Sequence, residues 1–475
     1  MMLVPYAVLY PLIIAVLILI FVMPSGFRSP FLLLVSLGIY CCSGTKVLFV
    51  LPLVAIFTYL ISRVLDRKRA DTSGKIIFGI SIIILVGMLL SFKFTGLKGF
   101  APIGISFFVL EAVSYLTDIY RGKTEAEKNP IYVLLYLCFF PTLTSGPIER
   151  GGNLIPQFKK LDKMGRSELF DPGRICDYAI VIIYGMFVKL VIADRLLKVT
   201  DLIFSEYYRF GTVALIIGAA SFGFQLYCDF MGYSHIALGI AGLFGIEIIN
   251  NFKAPYLSVS VSEFWRKWHI SLSSWLRDYV YISLGGNRKG KIRKCLNLLL
   301  TFIVSGIWHG NGISFLIWGG LHGIYVIVEN LLRDHGLLKK NSNELPFGSR
   351  FLRAASTFIL VDFAWIFFRA DTATAAFLYI KQMFTVPDFW ILSDMDKLFS
   401  LGLDMQELVI LMLALPILFG MDYVTAKRDL RVDQWLNEQG RAFRVVFTLA
   451  ILFYAMVFGV YGDAVDPSAF YYMSF

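Results

Sequence analysis

Of the five histidines in this 475-residue chain, His269, His309 and His322 lie in aromatic and glycine-rich settings, in the strings "KWHIS", "IWHGN" and "GLHGI". Imidazole changes charge near neutrality, so a histidine in a water-poor chamber suits proton transfer between reactants. Three histidines can also make a metal centre. Neither HExxH nor any other ligand-spaced pair is present, so acid/base chemistry is the more economical reading and no metal is expected. A GxSxG elbow, a Walker A loop, a dinucleotide fingerprint and a catalytic-cysteine signature are all absent from the sequence.

The elements that must hold these rings leave their own pattern. Asn297, Thr301, Ser305 and His309 recur every four residues in a run otherwise built of Leu, Ile, Phe and Val, along one side of a helix. Such a stripe is either interhelical glue or the wall of a functional cavity. Further upstream, Val261, Phe264, Trp265, Trp268, Leu272, Trp275, Leu276 and Tyr279 share one side of a helical wheel, and Ser262, Arg266, His269, Ser273 and Arg277 share the other. An amphipathic helix is predicted, with two uses. Its indoles can anchor at the headgroup level, which also accounts for the Gly285-Gly286 break and the cationic tail. Alternatively it lines the mouth or floor of a reaction chamber inside the membrane, and only this gives His269 a task.

Composition fixes the solvent. With 57% hydrophobic and 16% charged residues and a mean hydropathy of +0.69, the chain carries more apolar surface than a soluble domain of its size can bury. The expected fold is an all-α polytopic membrane protein of roughly 10 to 13 transmembrane or re-entrant helices, forming one integral domain over 1–475. Spans are expected at Val4–Met23, Phe31–Cys42, Lys46–Val64, Lys75–Leu90, Ile103–Ile119, Tyr132–Leu143, Tyr178–Leu196, Val213–Phe230, Leu296–Trp308, Ile313–Leu331, Thr357–Phe368, Leu408–Phe419 and Val445–Val460. Arg333–Arg350 reads as a loop. No charge precedes Arg28, so the first span lacks the basic flank of a cleavable signal and is expected to stay.

The net charge of +10 comes from cations concentrated in short loops, such as Arg288, Lys289, Lys291, Arg293 and Lys294. Positive-inside topology and attraction to anionic membrane lipid explain them, and nucleic acid is excluded as a partner. Six cysteines without CxxC spacing suggest neither zinc nor disulfides. Glu111, Asp118, Lys189, Asp194, Asp229, His235, His309, His322 and Asp362 fall within or beside apolar runs, where ionisable groups are costly, so together they imply a polar interior.

The ordered motifs "PIGISFFVLEAVSYLTDIYRG", "FFPTLTSGPIER", "FVKLVIADRL", "FQLYCDFMGYSHIALGIAGLFG", "NFKAPY", "EFWRKWHISLSSWLRDYVYISLGGNR" and "SGIWHG" run from Pro102 to about Phe368. In these the chain resembles the membrane-bound O-acyltransferase (MBOAT) family, within it the bacterial alginate O-acetyltransferase and teichoic acid D-alanyl transfer branch. The resemblance implies a helical, funnel-like central chamber in a bacterial cytoplasmic (inner) membrane. It also implies acyl transfer from a cytoplasmic thioester, either acetyl-CoA or an acyl carrier protein, toward a polysaccharide acceptor outside. An extracytoplasmic acyltransferase partner is expected, and no tightly bound cofactor. His309 matches the family's invariant histidine and His269 its second, and both are the catalytic candidates.

Chamber-lining candidates are His322, Arg277, Asn297, Ser305, Trp308, Glu111 and His235. Two of these depart from the alginate branch. Its usual "FYTFQ" is "FFVLE" here, placing Glu111 at a glutamine, and its "GYSD" is "GYSH", placing His235 at an aspartate. D-alanyl transfer to teichoic acid is the close alternative. From other classes, a transporter or flippase would use the polar stripes as a pathway, and an assembly scaffold would need neither histidine.

Overall fold

Long apolar runs can satisfy their backbone groups in lipid only as helices or a closed barrel. Here they form helices. The computed structural model describes residues 6–42, 46–95, 97, 100–338 and 346–461, and contains no strand among them. Val4 and Pro5, at the start of the first expected span, lie outside the described residues.

The helices are α1 (Tyr6–Val22), α2 (Arg28–Cys41), α3 (Val50–Lys68), α4 (Thr72–Phe94), α5 (Ile105–Tyr120), α6 (Pro130–Cys138), α7 (Phe140–Leu143), α8 (Gly151–Leu161) and α9 (Arg166–Leu169). Next come α10 (Pro172–Phe187), a π-helical segment at Val188–Ala193, α11 (Asp194–Ser205) and α12 (Thr212–Leu243). The later part holds α13 (Val261–Lys267), α14 (Ile270–Trp275), a second π-helical segment at Leu276–Tyr281, α15 (Lys291–His309), α16 (Ile313–Asp334) and α17 (Phe347–Arg369). It closes with α18 (Ala373–Thr385), α19 (Met395–Phe399), α20 (Met405–Arg428), α21 (Val432–Glu438) and α22 (Arg441–Phe458). Among the described residues seven helical stretches are long and apolar enough to cross a membrane: Thr72–Phe94, Arg166–Ser205, Thr212–Leu243, Ile313–Asp334, Phe347–Arg369, Met405–Arg428 and Arg441–Phe458. The protein is a multi-pass, all-helical membrane protein.

Several expected spans change their limits for visible reasons. The span Tyr132–Leu143 splits at Phe139, two residues before Pro141, because proline lacks the N–H that a continuous helix needs. The span expected to stop at Phe230 continues to Leu243, since its polar residues Asp229 and His235 are buried inside protein. The loop expected over Arg333–Arg350 is shorter, because α16 runs through Asp334 and α17 begins at Phe347, directly after Pro346. Residues 339–345 lie outside the described residues.

The chain forms two compact units. The first comprises the described residues of Met1–Ile182 with Tyr233–Asn250, and the second comprises Ile183–Gly232 with the described residues from Asn251 onward. In the first, the buried guanidinium of Arg28 donates to the carbonyls of Leu161 (2.9 Å) and Met164 (2.7 Å), closing the C-terminal end of α8. The backbone N–H of Ser29 and the Tyr132 hydroxyl both donate to the Asp162 carboxylate, each at 2.9 Å.

In the second unit, three of the residues singled out as costly pair with one another, one cation shared by two carboxyl groups. Lys189, on the first π-helical segment, lies 2.6 Å from Asp194 and 2.6 Å from Asp229. Asp388 is the capping group of α12, accepting from the backbone N–H of Gly211 (3.2 Å) and Val213 (2.6 Å). Removing an N-cap acceptor typically costs ~1 kcal/mol. Asp388→Ala therefore lowers the thermal midpoint of the purified protein by a few degrees, and Asp388→Asn restores most of it; equal midpoints for wild type and Asp388→Ala would remove this cap from the account.

Candidate active site

The predicted amphipathic helix over 261–279 is corrected by the structure to three pieces, α13, α14 and the π-helical segment Leu276–Tyr281. The break is at His269, whose backbone is left-handed (φ 43°, ψ 55°). That conformation costs a non-glycine residue roughly 1–2 kcal/mol. Asn251 offsets it from the preceding loop. Its carbonyl accepts from Ile270 N–H (3.0 Å) and its side-chain oxygen from Ser271 N–H (3.2 Å), satisfying two donors that a helix start leaves open.

The break takes His269 off the polar stripe. Arg266 and Arg277 stay exposed while His269 is 0% exposed, edge-on to Phe230 with centroids 4.6 Å apart and 6.0 Å from the Trp308 ring. Burial pushes its imidazole down to about 3, so the ring is neutral throughout the physiological range. The indoles of Trp265, Trp268 and Trp275 are buried in protein. Headgroup anchoring is therefore not their use.

The second element is a hairpin of α15 and α16. Asn297, Thr301, Ser305 and His309 are buried in one row, while Leu296, Leu300 and Val304 on the other side are exposed. Close approach is possible because the crossing is made of glycine. A Cβ on Gly306 would lie 2.3 Å from the Phe315 carbonyl oxygen, and one on Gly319 would lie 2.4 Å from that of Phe302. Asn297 works at the other end, where its amide donates to the carbonyls of Gly286 (2.8 Å) and Leu284 (3.3 Å) and fixes the Gly285-Gly286 turn. Both glycines there have positive φ, at 103° and 57°.

The hairpin brings three histidines into one aromatic cluster within the second unit. His309, the last residue of α15, has ring centroids 4.8 Å from Trp308, 4.9 Å from Trp318 and 5.2 Å from Phe368. His322 on α16 lies 5.1 Å from Trp318 and 5.0 Å from Trp265. The rings thus run His269, Trp308, His309, Trp318, His322. The Trp265 indole N–H donates to His322 Nδ1 at 3.2 Å, so neutral His322 carries its proton on Nε2. Around this cluster, buried polar atoms lack hydrogen-bond partners among the described residues: Nε2 of His322, the indole nitrogens of Trp318 and Trp365, and the Ser305 hydroxyl. An unmet buried donor typically costs ~1–3 kcal/mol. Such a concentration marks a place built for polar atoms from outside the chain.

Beside the cluster, also within the second unit, lies a cavity of about 560 Å³. Trp265, Phe302, Ile270, Leu276, Leu298 and Val326 supply apolar wall, and Arg266, Arg277 and Lys294 line it with positive charge. Arg277 also pairs with Asp278 at 2.8 Å.

Not every chamber-lining candidate joins this group. Glu111 and His235 belong to the first unit. There the Glu111 carboxylate accepts from Glu149 N–H (3.1 Å), and the Glu149 carboxylate takes the Asn153 amide (2.8 Å), tying α5 to α8. His235 is buried on α12. Sequence reasoning missed Asn251, Trp318, Trp265 as the partner of His322, and Lys294 on the cavity wall. One signal was available for Trp318, which precedes His322 by one helical turn in "WGGLH".

These features define an integral membrane protein with a buried histidine cluster next to a cation-lined cavity. The profile described as MBOAT, membrane-bound O-acyltransferase family, matches residues 100–337, and the chain belongs to that family. It is 39% identical over 309 residues to a probable alginate O-acetylase of Pseudomonas syringae pv. tomato, covering 65% of this chain and 56% of that protein. It is 31% identical to a peptidoglycan O-acetyltransferase of Helicobacter pylori, covering 75% and 74% of the two chains. A teichoic acid D-alanyltransferase of Streptococcus thermophilus is 30% identical over 48% of this chain and 56% of its own length. The chain thus spans little more than half the length of the Pseudomonas relative it matches.

Proposed function

We propose that this protein is an O-acyltransferase of a bacterial cytoplasmic (inner) membrane. It moves an acetyl or other short acyl group from a cytoplasmic thioester toward a cell-surface or secreted polysaccharide. The observation that carries this reading is the buried cluster in which His309 stands between Trp308 and Trp318, with unmet polar atoms around it. The named activities of the relatives support it, since alginate and peptidoglycan O-acetylation both join an acyl group to a carbohydrate hydroxyl.

An alcohol is a weak nucleophile near neutral pH. A ring nitrogen of neutral His309 takes the hydroxyl proton as the oxygen attacks the thioester carbonyl; the C–O bond forms, the C–S bond breaks, and the proton passes to the leaving thiolate. The indole N–H groups of Trp318 and Trp365 are suited to the negative charge that develops on the carbonyl oxygen. His269 and His322 hold the aromatic frame from either end. The attacking hydroxyl belongs either to the polysaccharide or to a serine on an extracytoplasmic acyltransferase partner.

The donor is a substrate, not a resident cofactor. Acetyl-CoA and an acyl carrier protein both present a phosphate-bearing thioester arm, and Arg266, Arg277 and Lys294 supply matching charge on the cavity wall. A second reading, D-alanyl transfer from a carrier protein to teichoic acid, is favoured by the Streptococcus relative. Incubating lipid-reconstituted protein with labelled acetyl-CoA, or with labelled D-alanyl carrier, separates the two. Acetyl label in polysaccharide supports the first reading. D-alanyl label alone selects the second, and failure of both donors overturns acyl transfer.

A further inference from the structure

The cavity stops short of the histidines. Its wall includes Trp265 and Phe302, whereas neither His309 nor His322 lines it. Trp265 stands between the cavity and His322. Its ring is 8% exposed and packs against Phe302 (5.3 Å), Trp318 (5.9 Å) and His322 (5.0 Å). Its N–H is held on His322 Nδ1 at 3.2 Å. One indole therefore closes the inner end of a 560 Å³ space and is latched to the histidine behind it.

The geometry points to Trp265 as a specificity-determining partition, which admits a short acyl group to the histidine cluster and excludes longer chains. This rests on the acyl-transfer reading for its substrate, although the partition itself is a statement about access. The physical basis is bulk. An acyl chain reaching from the cavity toward His322 must pass the indole, and a ring backed by Phe302 and Trp318 leaves little room for extra methylenes. Shortening residue 265 lengthens the cavity toward His322, so longer donors gain most, roughly fourfold per methylene that the new apolar space can bury. Trp265→Phe keeps most of the bulk and loses only the latch.

The test uses the full-length protein in lipid with two readouts. The first is carbethoxylation of His322 by diethyl pyrocarbonate, followed by peptide mass spectrometry in wild type, Trp265→Phe, Trp265→Leu and Trp265→Ala. Reaction of a shielded group scales with the fraction of time it is open, so labelling is expected to rise by about tenfold in Trp265→Leu and Trp265→Ala and little in Trp265→Phe. The second is the ratio of butyryl to acetyl transfer from the corresponding CoA thioesters, expected to rise by about tenfold in the same two variants. Trp265→Leu keeps the test decisive if Trp265→Ala does not fold. Unchanged His322 labelling in a monodisperse Trp265→Leu protein overturns the partition. Raised labelling with an unchanged acyl ratio overturns its role in specificity. If wild type transfers no acyl group, the acyl-transfer reading fails while the labelling arm still decides whether Trp265 closes the cavity.

Discussion

His309→Ala is expected to lower acyl transfer by about 10²- to 10⁴-fold, the range that general-base assistance usually supplies. The loss is chemical and not a failure of folding. His309 ends α15 and is 2% exposed, but the hairpin it belongs to is held by the glycine crossing and by Asn297, neither of which involves the imidazole. His309→Gln fills much of the same space without a usable base, and it is expected to be as inactive as the alanine variant with a thermal midpoint closer to wild type. His269 acts through Trp308, so His269→Asn, which tolerates the left-handed backbone, is expected to lose less than His309→Gln. Initial rates of label transfer in matched reconstituted samples check this order. A His309→Gln protein that transfers at the wild-type rate would remove the base from the mechanism.

The second large effect is at the hairpin crossing. A methyl group on Gly306 meets the Phe315 carbonyl oxygen at 2.3 Å, and one on Gly319 meets that of Phe302 at 2.4 Å. Backbone atoms cannot swing aside as a flexible side chain would, so α15 and α16 must separate. Overpacking at such contacts costs about 3 kcal/mol, the upper end of the usual range. Gly306→Ala and Gly319→Ala are each expected to lower the thermal midpoint by several degrees and to reduce transfer together with it, because His309 and Trp318 lie on opposite helices of that crossing. Gly320→Ala is the control, since a Cβ there meets nothing within 4 Å. Equal stability of all three variants would contradict the close crossing.

The polar stripe was legible because helical spacing alone places Asn297, Thr301, Ser305 and His309 in one row, and burial follows the row. The class was legible because apolar runs of this length have few alternatives in lipid. Periodicity failed at His269. A wheel assumes a continuous helix, and the left-handed turn there depends on Asn251, a partner 18 residues away in sequence, whose bonds no local pattern displays. The expected spans erred for a related reason. The span expected over Val213–Phe230 stops beside Asp229, yet Asp229 is paired with Lys189 and the helix passes through to Leu243. Of the departures from the alginate pattern, Glu111 keeps a structural bond to Glu149 N–H within the first unit, a tie whose register the sequence does not display. The three "WH" and "LH" strings gave the histidines but not their order, which the α15–α16 hairpin sets through Trp308 and Trp318.

The most direct measurement is single-turnover transfer of radiolabelled acetyl from acetyl-CoA by purified, lipid-reconstituted protein, with wild type and His309→Ala matched for monodispersity. Label reaching the protein, its partner or a polysaccharide in wild type, and falling by two orders of magnitude or more in His309→Ala, is the result expected of a base at His309. Equal transfer by the two proteins would contradict it.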